Sequence, residues 1–240
     1  MSFEEPSCDL PRIPGSLFYP RRDLQREPFV PNAINHSVAV EEGIQIVCRF
    51  YIAGKDCPSI LFFHGNGETV GDYDYVAPFY NERGINLFVS DYRGYGLSGG
   101  SPTITNFISD AHPILKSFCE LIQRGGCQDR LFVMGRSLGS APAIELAFHY
   151  QDVFRGLIIE SGTARGFSNG EKICSVRIPA LFIHGQYDEI IPAEQGSQLY
   201  RNAGTQKKAL LLIAGAGHND LMMIGVQQYF QEIDDFVHLT

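Results

Sequence analysis

The sequence predicts an α/β fold in which a mostly parallel, twisted sheet carries helices on both faces. Two observations lead to this prediction. Longer amphipathic stretches, at residues 70–83, 103–123, 141–149, 193–203 and 221–237, alternate with short apolar runs, and such alternation is typical of a sheet covered by helices on both sides. The apolar runs contain few charges, as strands buried on both faces of a parallel sheet do. They are SILFFH, INLFVS, RLFVMG, GLIIES, PALFIHG and ALLLIAG.

The first 35 residues predict an irregular leader rather than part of the sheet. They contain prolines at positions 6, 11, 14, 20, 28 and 31. Proline interrupts regular helices and central strands. We therefore divide the chain into a proline-rich leader, residues 1–35, and a single domain, residues 36–240.

The rest of the chain continues the pattern. Residues 36–53 alternate apolar and polar side chains, which predicts an antiparallel strand pair. Pro113 falls inside the stretch 103–123 and predicts either a kink or the start of a helix. About fifteen residues, 163–177, separate the fourth and fifth apolar runs, which is too short for a large inserted domain.

Composition excludes several classes of function. With 240 residues and a net charge of -8, the chain suits one large domain and lacks the basic face that nucleic acids require. The apolar runs are far shorter than a membrane span of about 20 residues, and the acidic start MSFEEPSCDL is unlike a signal peptide. The six cysteines form no C-x-x-C pair, which favours reduced thiols in a cytoplasmic protein: Cys8, Cys48, Cys57, Cys119, Cys127 and Cys174.

A serine between two glycines stands where a predicted strand meets a predicted helix. The run RLFVMG ends in Gly135-Arg136-Ser137-Leu138-Gly139, and a helical stretch follows. A strand followed directly by G-x-S-x-G and a helix is the nucleophile elbow, whose tight turn needs small residues on both sides of the serine. The pattern predicts that Ser137 is a nucleophile; the alternative is a serine that caps the helix.

A serine nucleophile needs a base, because its free hydroxyl is weakly nucleophilic. His218 is the candidate, since it follows the last apolar run and a glycine-rich loop, level with Ser137 at the same end of the sheet. His184 and His64 also stand at strand ends, each followed by glycine, and are rival bases. The remaining histidines lie on helices or near the chain ends, where structural roles are expected: His36, His112, His149 and His238.

The base in turn needs a carboxylate that fixes its tautomer and stabilises the imidazolium. Asp188 follows the run PALFIHG, and the chain order Ser137, Asp188, His218 is the order that folds with a nucleophile elbow use. Glu160, at the end of LIIES, is an alternative acid. Glu189 is adjacent to Asp188 and points elsewhere if Asp188 points inward.

The turn His64-Gly65-Asn66-Gly67 follows the run SILFFH. Its glycines let the backbone turn so that an amide faces the reacting centre, and we expect the backbone N–H groups of Asn66 and Leu138 to form an oxyanion hole. A plain turn is the alternative, because Gly-Asn-Gly is good turn chemistry. The serine, histidine, carboxylate and glycine-rich turn all fall at C-terminal ends of predicted parallel strands, where open α/β sheets place their sites.

Four sequence blocks, HGNGE, DYRGYGLSGG, GRSLGS and HGQYDEIIP with GAGHND, resemble the α/β-hydrolase superfamily from about residue 36 to 237. The pairing of H-G-N-G with D-Y-R-G-Y-G-x-S is most similar to the branch of compact hydrolases related to membrane-associated protein depalmitoylases. The resemblance implies the α/β-hydrolase fold, with Ser137 as nucleophile, Asp188 as acid and His218 as base. It also implies Asn66 and Leu138 as oxyanion donors.

The same resemblance implies that Asp91, Arg93 and Ser98 shape a loop beside the site rather than react. The chain departs from that branch in two respects. Those depalmitoylases carry an N-terminal cluster of cysteines for lipid anchoring, whereas the leader here has Cys8 alone. The region between residues 162 and 178, where the superfamily inserts its lid, is also shorter, so we expect a minimal lid or none, with the leader as an alternative cover for the site.

The sequence therefore predicts a serine hydrolase that cleaves a carboxylic ester or thioester through an acyl-enzyme intermediate. An amidase or aminopeptidase of the same fold is the alternative enzyme, and a non-catalytic binding protein of this fold is a further alternative. We expect a small-molecule or acyl substrate, no cofactor and no metal. Both a monomer and a homodimer are compatible with the sequence.

Overall fold

The computed structural model describes residues 17–23, 27–128 and 130–240. Cys8 and the first three prolines of the leader lie outside the described residues, as does most of the leader itself. Within the described ranges, eight strands form one sheet in the order β1-β2-β4-β3-β5-β6-β7-β8. The strands are β1 (Ala33–Glu41), β2 (Ile44–Tyr51), β3 (Ser59–Phe63), β4 (Asn86–Ser90), β5 (Leu131–Arg136), β6 (Phe154–Glu160), β7 (Ala180–Gly185) and β8 (Lys208–Ile213).

Among the described residues, six helices lie between the strands along the chain, and two more follow β8. They are α1 (Ala77–Asn81), α2 (Ile104–Ser109), α3 (Ala111–Gly125), α4 (Ser140–His149), α5 (Asn169–Lys172), α6 (Ala193–Asn202), α7 (Leu221–Ile224) and α8 (Val226–Leu239). Short 3-10 turns span Val70–Tyr75, Ser137–Gly139 and Ile173–Ser175.

The predicted fold class is confirmed. The six apolar runs form β3 to β8, which pair in parallel with their neighbours, whereas β1 and β2 form the antiparallel pair expected over residues 36–53. β2 joins the sheet by antiparallel pairing with β4. Since β1 begins at Ala33, the first strand starts ahead of the boundary placed at residue 36, and the division into leader and domain stays a prediction.

Two hydrophobic cores, one on each face of the sheet, explain why its strands are apolar throughout. Successive side chains of a strand point to opposite faces, and in β3 Leu61 and Phe63 belong to one core while Ile60 and Phe62 belong to the other. The first core includes residues of α2, α3, α4 and α6, and the second includes residues of α1, α7 and α8. The central strands are therefore buried on both sides.

The structure differs from the predicted elements in three places. The stretch 70–83 is a 3-10 turn followed by α1, whose first turn contains Pro78. The stretch 103–123 is divided into α2 and α3, and Pro113 lies in the first turn of α3, where its missing N–H costs no helical hydrogen bond. β8 is at the edge of the sheet, so it is only partly buried and Leu212 is 44% exposed.

Residues 161–179, all of which the structure describes, connect β6 to β7 through α5 and a 3-10 turn, without an inserted domain. This agrees with the expectation of a minimal lid. In the three described ranges, no helix combines the length and the apolar character needed to cross a membrane.

Close backbone packing brings the turn after β5 against the end of β3. A Cβ added to Gly139 would lie 2.1 Å from the carbonyl oxygen of Phe63 and 2.7 Å from that of His64. A Cβ added to Gly135 would lie 2.2 Å from the carbonyl oxygen of Gly139. Backbone atoms at both contacts cannot rotate aside as a flexible side chain would. Glycine at these two positions therefore permits the approach.

We predict that Gly139→Ala lowers the free energy of unfolding by about 1–3 kcal/mol, because the added methyl group clashes with backbone in a tightly packed region. Backbone conformation adds no penalty, since the φ angle of Gly139 is -63°. Urea unfolding followed by circular dichroism measures the change. Gly125→Ala is the matched control, as its added Cβ would make only an ordinary 3.4 Å contact with Cys127 Sγ. Equal unfolding midpoints for Gly139→Ala and wild type would contradict the packing argument.

Candidate active site

The sheet topology gathers four loops at one edge. Ser137 directly follows β5, the turn at residues 64–67 follows β3, Asp188 follows β7, and His218 follows β8. These four strands are parallel, so their C-terminal ends meet at the same side of the sheet. Side chains that are up to 81 positions apart in sequence thereby come within hydrogen-bond distance.

Ser137 occupies a strained turn between β5 and α4. Its φ angle is +52°, a left-handed conformation that residues other than glycine rarely adopt. The side chain is 7% exposed. A non-glycine residue is held in such a conformation only where the surrounding structure imposes it, and such strain is concentrated at functional sites. Ser137 therefore has the backbone geometry of a nucleophile elbow rather than that of an ordinary helix cap.

His218 lies between Ser137 and Asp188. Its Nε2 is 2.9 Å from Ser137 Oγ, and its Nδ1 is 2.7 Å from Asp188 Oδ2. Because the carboxylate only accepts hydrogen bonds when it is ionised, Nδ1 carries the proton and Nε2 is free to accept one from the hydroxyl. The ring is 4% exposed, so the line of hydrogen bonds is shielded from water.

Asp188 is fixed in place by more than the imidazole of His218. Its Oδ1 accepts hydrogen bonds from the backbone N–H groups of Ile190 (3.0 Å) and Ile191 (2.7 Å), and His184 Nε2 lies 3.2 Å from Oδ2. Burial alone would raise the pKa of the Asp188 carboxyl, but the hydrogen bonds from the two imidazoles and the backbone outweigh it and hold that pKa well below its ordinary value. Asp188 is therefore ionised at neutral pH.

The rival bases have other partners. His184 Nε2 lies 2.8 Å from the carbonyl oxygen of Ile191, so it carries a proton and donates it away from Ser137. His64 has both ring nitrogens beside oxygen atoms, Nδ1 at 2.8 Å from the Gly65 carbonyl and Nε2 at 3.1 Å from Asp91 Oδ1. His184 instead holds Asp188, and His64 joins the loop after β3 to the loop after β4.

The rival acids also face elsewhere. Glu160 accepts hydrogen bonds from Arg136 Nε at 3.0 Å and from the Tyr229 hydroxyl at 2.7 Å. Burial raises the pKa of its carboxyl, and the neighbouring guanidinium only partly offsets this. Glu189 accepts a long hydrogen bond, 3.4 Å, from the backbone N–H of His218. Asp188 alone of the three candidate acids is hydrogen-bonded to the imidazole in the described part of the chain.

The two segments predicted to supply oxyanion donors are adjacent. Leu138 follows Ser137 in the 3-10 turn, and the close contact of Gly139 with Phe63 and His64 holds this turn against the start of the 64–67 turn. The side-chain amide of Asn66 is hydrogen-bonded to the Leu17 carbonyl, the Tyr19 backbone N–H and the Tyr95 hydroxyl, and the role of its backbone N–H as an oxyanion donor stays a prediction.

Sequence reasoning gave no role to Arg136, although it adjoins Ser137. The buried guanidinium donates to Glu68 through Nη1 and to Glu160 through Nε. Its Nη2 donates to the backbone carbonyl of His218 at 3.1 Å and to Asn219 Oδ1 at 3.0 Å. One side chain thus joins the loops after β3 and β8 to the C-terminal end of β6. The signal in the sequence was an arginine at the end of an otherwise apolar strand, which must find partners wherever it is buried.

Glu68 was also missed, and it extends this network to the glycine-rich turn. Its Oε2 accepts hydrogen bonds from the Gly65 backbone N–H at 2.8 Å and from the Tyr73 hydroxyl at 2.9 Å. Glu68 therefore couples the backbone ahead of Asn66 to Arg136. Its position in the block HGNGE was visible in the sequence, but the partner that it meets was not.

The residues that the resemblance treats as structural make scaffold contacts. Arg93 pairs with Asp110 at 2.7 Å, and Ser98 Oγ accepts from the backbone N–H of Val47 at 2.9 Å. Asp91 accepts from the backbone N–H of Val70 at 2.8 Å. In the ranges that the structure describes, no three His, Cys, Asp or Glu side chains are grouped as metal ligands would be.

Comparison with known sequences places the chain among α/β hydrolases. The family model described as serine aminopeptidase, S33, matches residues 54–168, which include the 64–67 turn and Ser137. Human alpha/beta hydrolase domain-containing protein 17B is 30% identical over 218 residues, covering 82% of this chain and 72% of that protein. Protein bem46 of Schizosaccharomyces pombe is 30% identical over 205 residues, covering 75% of this chain and 67% of that protein.

Solved structures share the fold. The Pyrococcus furiosus esterase Pf2001 superimposes with a TM-score of 0.78 at 16% identity, over 95% of this chain and 99% of that chain. A predicted CIB-like hydrolase from Thermoplasma acidophilum gives a TM-score of 0.70 at 20% identity, over 87% of this chain and 99% of that chain. The chain is therefore an α/β hydrolase, as its sequence blocks predicted, and it belongs to the family that includes alpha/beta hydrolase domain-containing protein 17B.

Proposed function

We propose that this protein is a serine hydrolase that cleaves a carboxylic ester or thioester through an acyl-enzyme intermediate. One observation carries the proposal: Ser137 Oγ, the imidazole of His218 and the carboxylate of Asp188 form one hydrogen-bonded line, with distances of 2.9 and 2.7 Å. A nucleophile, a base and a group that orients the base are the elements that serine acyl transfer requires.

Acylation begins when Ser137 Oγ attacks the acyl carbonyl carbon while His218 Nε2 takes the hydroxyl proton. Asp188 keeps the proton on Nδ1 and stabilises the imidazolium that forms. The negative charge on the carbonyl oxygen is received by the backbone N–H groups of Asn66 and Leu138. The imidazolium then gives its proton to the departing alcohol or thiol, and the acyl group remains on Ser137.

Deacylation repeats the same steps with water. His218 Nε2 takes a proton from a water molecule, whose oxygen attacks the acyl carbon. The tetrahedral intermediate collapses, Ser137 recovers its proton from the imidazolium, and the carboxylic acid leaves. Each proton lost by a nucleophile is returned to a leaving group, so the cycle restores the starting enzyme.

Apolar side chains on two of the loops support an acyl-bearing substrate. Tyr187 and Ile190, on the loop that carries Asp188, are 67% and 58% exposed. Met223 and Ile224, in α7 shortly after His218, are 82% and 54% exposed. Large apolar side chains that are exposed close to Asp188 and His218 along the chain are suited to contact an apolar ligand.

An aminopeptidase is the second candidate, favoured by the description of the matching family model. An aminopeptidase needs a carboxylate that binds the substrate's ammonium group. Arg136, which precedes Ser137, forms ion pairs with both Glu68 and Glu160, so neither carboxylate is free to bind an ammonium group. This pairing favours the ester or thioester over the peptide.

The cytoplasmic location is also a proposal. Free thiols at Cys48, Cys57, Cys119, Cys127 and Cys174 support a reducing compartment, because disulfides form and persist in oxidising ones.

Ser137→Ala should lower kcat for p-nitrophenyl acetate and butyrate by about 10⁴- to 10⁶-fold, since the nucleophile is lost while the fold is kept. A fluorophosphonate probe should label the wild-type protein and not Ser137→Ala. A non-catalytic binding protein would not be labelled in either form. Ser117→Ala is the matched control, because Ser117 Oγ contacts His36 far from the triad. A folded Ser137→Ala variant that keeps half of the wild-type rate would overturn the assignment.

Asp188→Asn should lower kcat by about 10³- to 10⁴-fold, because an amide cannot hold the imidazole in the required tautomer. Glu160→Gln should retain kcat per folded molecule, although it weakens the pairing with Arg136 and lowers the unfolding temperature. Rates normalised to titrated active sites, together with thermal unfolding, measure both effects. The reverse pattern of rates would move the acid to β6.

A substrate panel distinguishes the two enzyme candidates. Because Glu68 and Glu160 are both paired with Arg136, kcat/KM for short acyl esters and acyl thioesters should exceed that for aminoacyl naphthylamides by at least about 100-fold, or roughly 3 kcal/mol of transition-state stabilisation. Purified wild-type protein and Ser137→Ala are assayed side by side. Preference for the aminoacyl naphthylamides would favour the aminopeptidase.

A further inference from the structure

Residues 17–23, which we call the strap, run beside the glycine-rich turn. Phe18 anchors the strap: it is 5% exposed, and its ring lies 5.3 Å from that of Phe107. Gly96 donates its backbone N–H to the Arg21 carbonyl at 2.8 Å and accepts a hydrogen bond from the backbone N–H of Asp23 at 3.4 Å. The strap therefore pairs with the loop after β4 as a short strand would.

The strap is also tied to the start of the 3-10 turn Val70–Tyr75. Arg21 Nη2 donates to Thr69 Oγ1 at 2.9 Å and to the Asp72 carboxylate. Arg22 Nη1 donates to the Ser98 carbonyl at 2.8 Å. These contacts hold the strap across two loops at the C-terminal edge of the sheet.

The strap also forms hydrogen bonds with the side chain of Asn66. Asn66 Nδ2 donates to the Leu17 carbonyl at 2.8 Å, and Asn66 Oδ1 accepts from the Tyr19 backbone N–H at 2.9 Å. The Tyr95 hydroxyl donates to the same Oδ1 at 2.6 Å and itself accepts from the Tyr19 N–H at 3.1 Å. Both ends of the Asn66 amide are thus held, and two of the holding groups are backbone groups of the strap.

These hydrogen bonds matter because the backbone around Asn66 can adopt many conformations. Asn66 lies between two glycines, and Gly67 has a φ angle of +79°. Glycine populates many backbone conformations at little cost, so the 64–67 turn does not by itself fix the direction of the Asn66 peptide. A side chain held at both ends restricts the Cα to which it is attached, and with it the adjacent N–H.

We propose that the strap is a positioning element of the oxyanion hole: through Leu17 and Tyr19 it holds Asn66 so that the Asn66 N–H stays directed at the developing oxyanion. This rests on the proposed function, in which that N–H is an oxyanion donor. Leu17, Tyr19 and Tyr95 are positioning residues, since they act through Asn66. The strap is then a part of the active enzyme rather than a cover over it.

We expect the strap to stabilise the transition state rather than the bound substrate. An oxyanion donor interacts most strongly once charge has developed on the oxygen, so its misalignment lowers kcat while leaving ground-state binding nearly unchanged. If the strap were instead a cover over the site, loosening it would raise kcat, because substrate would enter faster. A purely structural strap would lower the unfolding temperature without lowering kcat per titrated active site.

The test is a double-mutant cycle in the full chain. Asn66→Ala keeps the backbone N–H and removes every contact that the strap makes with this side chain, and Phe18→Ala removes the anchor of the strap. We expect Asn66→Ala to lower kcat for p-nitrophenyl butyrate about 10- to 100-fold and Phe18→Ala about 10-fold, each with KM within about threefold of wild type. The double variant should match Asn66→Ala within about twofold, because both changes act on one N–H.

Three outcomes overturn the inference. Losses that multiply in the double variant mean that the strap acts on something other than Asn66. A rise in kcat for Phe18→Ala means that the strap is a cover. Wild-type kcat for Phe18→Ala, with strap release shown by faster hydrogen exchange at the Tyr19 and Gly96 amides, means that the strap is not needed.

If Phe18→Ala does not fold, Tyr95→Phe replaces it. This change removes one hydroxyl that holds Asn66 and should lower kcat about 3- to 10-fold with KM nearly constant. Tyr150→Phe is the matched control, since its hydroxyl contacts His112 away from the triad. Wild-type rates for both Tyr95→Phe and Asn66→Ala would overturn the inference. Ser137→Ala, assayed in parallel, tests the proposed function separately. If Ser137→Ala stays active, the proposed function is wrong. If Ser137→Ala is inactive and the strap variants keep the wild-type rate, only the inference about the strap is wrong.

Discussion

The buried guanidinium of Arg136 connects the parts of the site that the chain supplies from distant positions. It joins Glu68, Glu160 and the backbone carbonyl of His218, and it lies immediately before Ser137. An ion removed from water costs several kcal/mol unless partners replace the lost hydration, so the buried guanidinium depends on these groups to replace its hydration. The loops after β3 and β8 and the C-terminal end of β6 are therefore joined to the residue that precedes Ser137.

Two kinds of contact thus hold the glycine-rich turn. Glu68 links the Gly65 N–H to Arg136 from within the site. The strap binds the Asn66 side chain through the Tyr19 backbone N–H and the Leu17 carbonyl. Glycine lets the backbone of the 64–67 turn pack closely against the turn at Ser137. The contacts of Glu68 and of the strap then restrict the conformations open to that backbone. The arrangement combines close backbone packing with side-chain contacts that restrain the turn.

The fold and the catalytic candidates were largely predictable because they depend on local patterns. Apolar runs that must be buried on both faces identified β3 to β8, and G-x-S-x-G at a strand end identified the strained turn at Ser137. Edge effects were not predictable in this way, since the run that forms β8 has the same composition as the central strands and only its place in the sheet exposes Leu212. The roles of Arg136 and the strap required knowledge of contacts between distant segments.

The sequence by itself determined the α/β class, the order of strands and helices along the chain, and which residue types could act as nucleophile, base and acid. Only the tertiary structure decided among the rivals: it set His218 rather than His184 beside Ser137, and Asp188 rather than Glu160 beside His218. The physical reason is that periodicity and turn chemistry are properties of neighbouring residues, whereas a hydrogen bond depends on distance and direction. These are set by how the sheet twists and how its loops pack, which no short stretch of sequence contains.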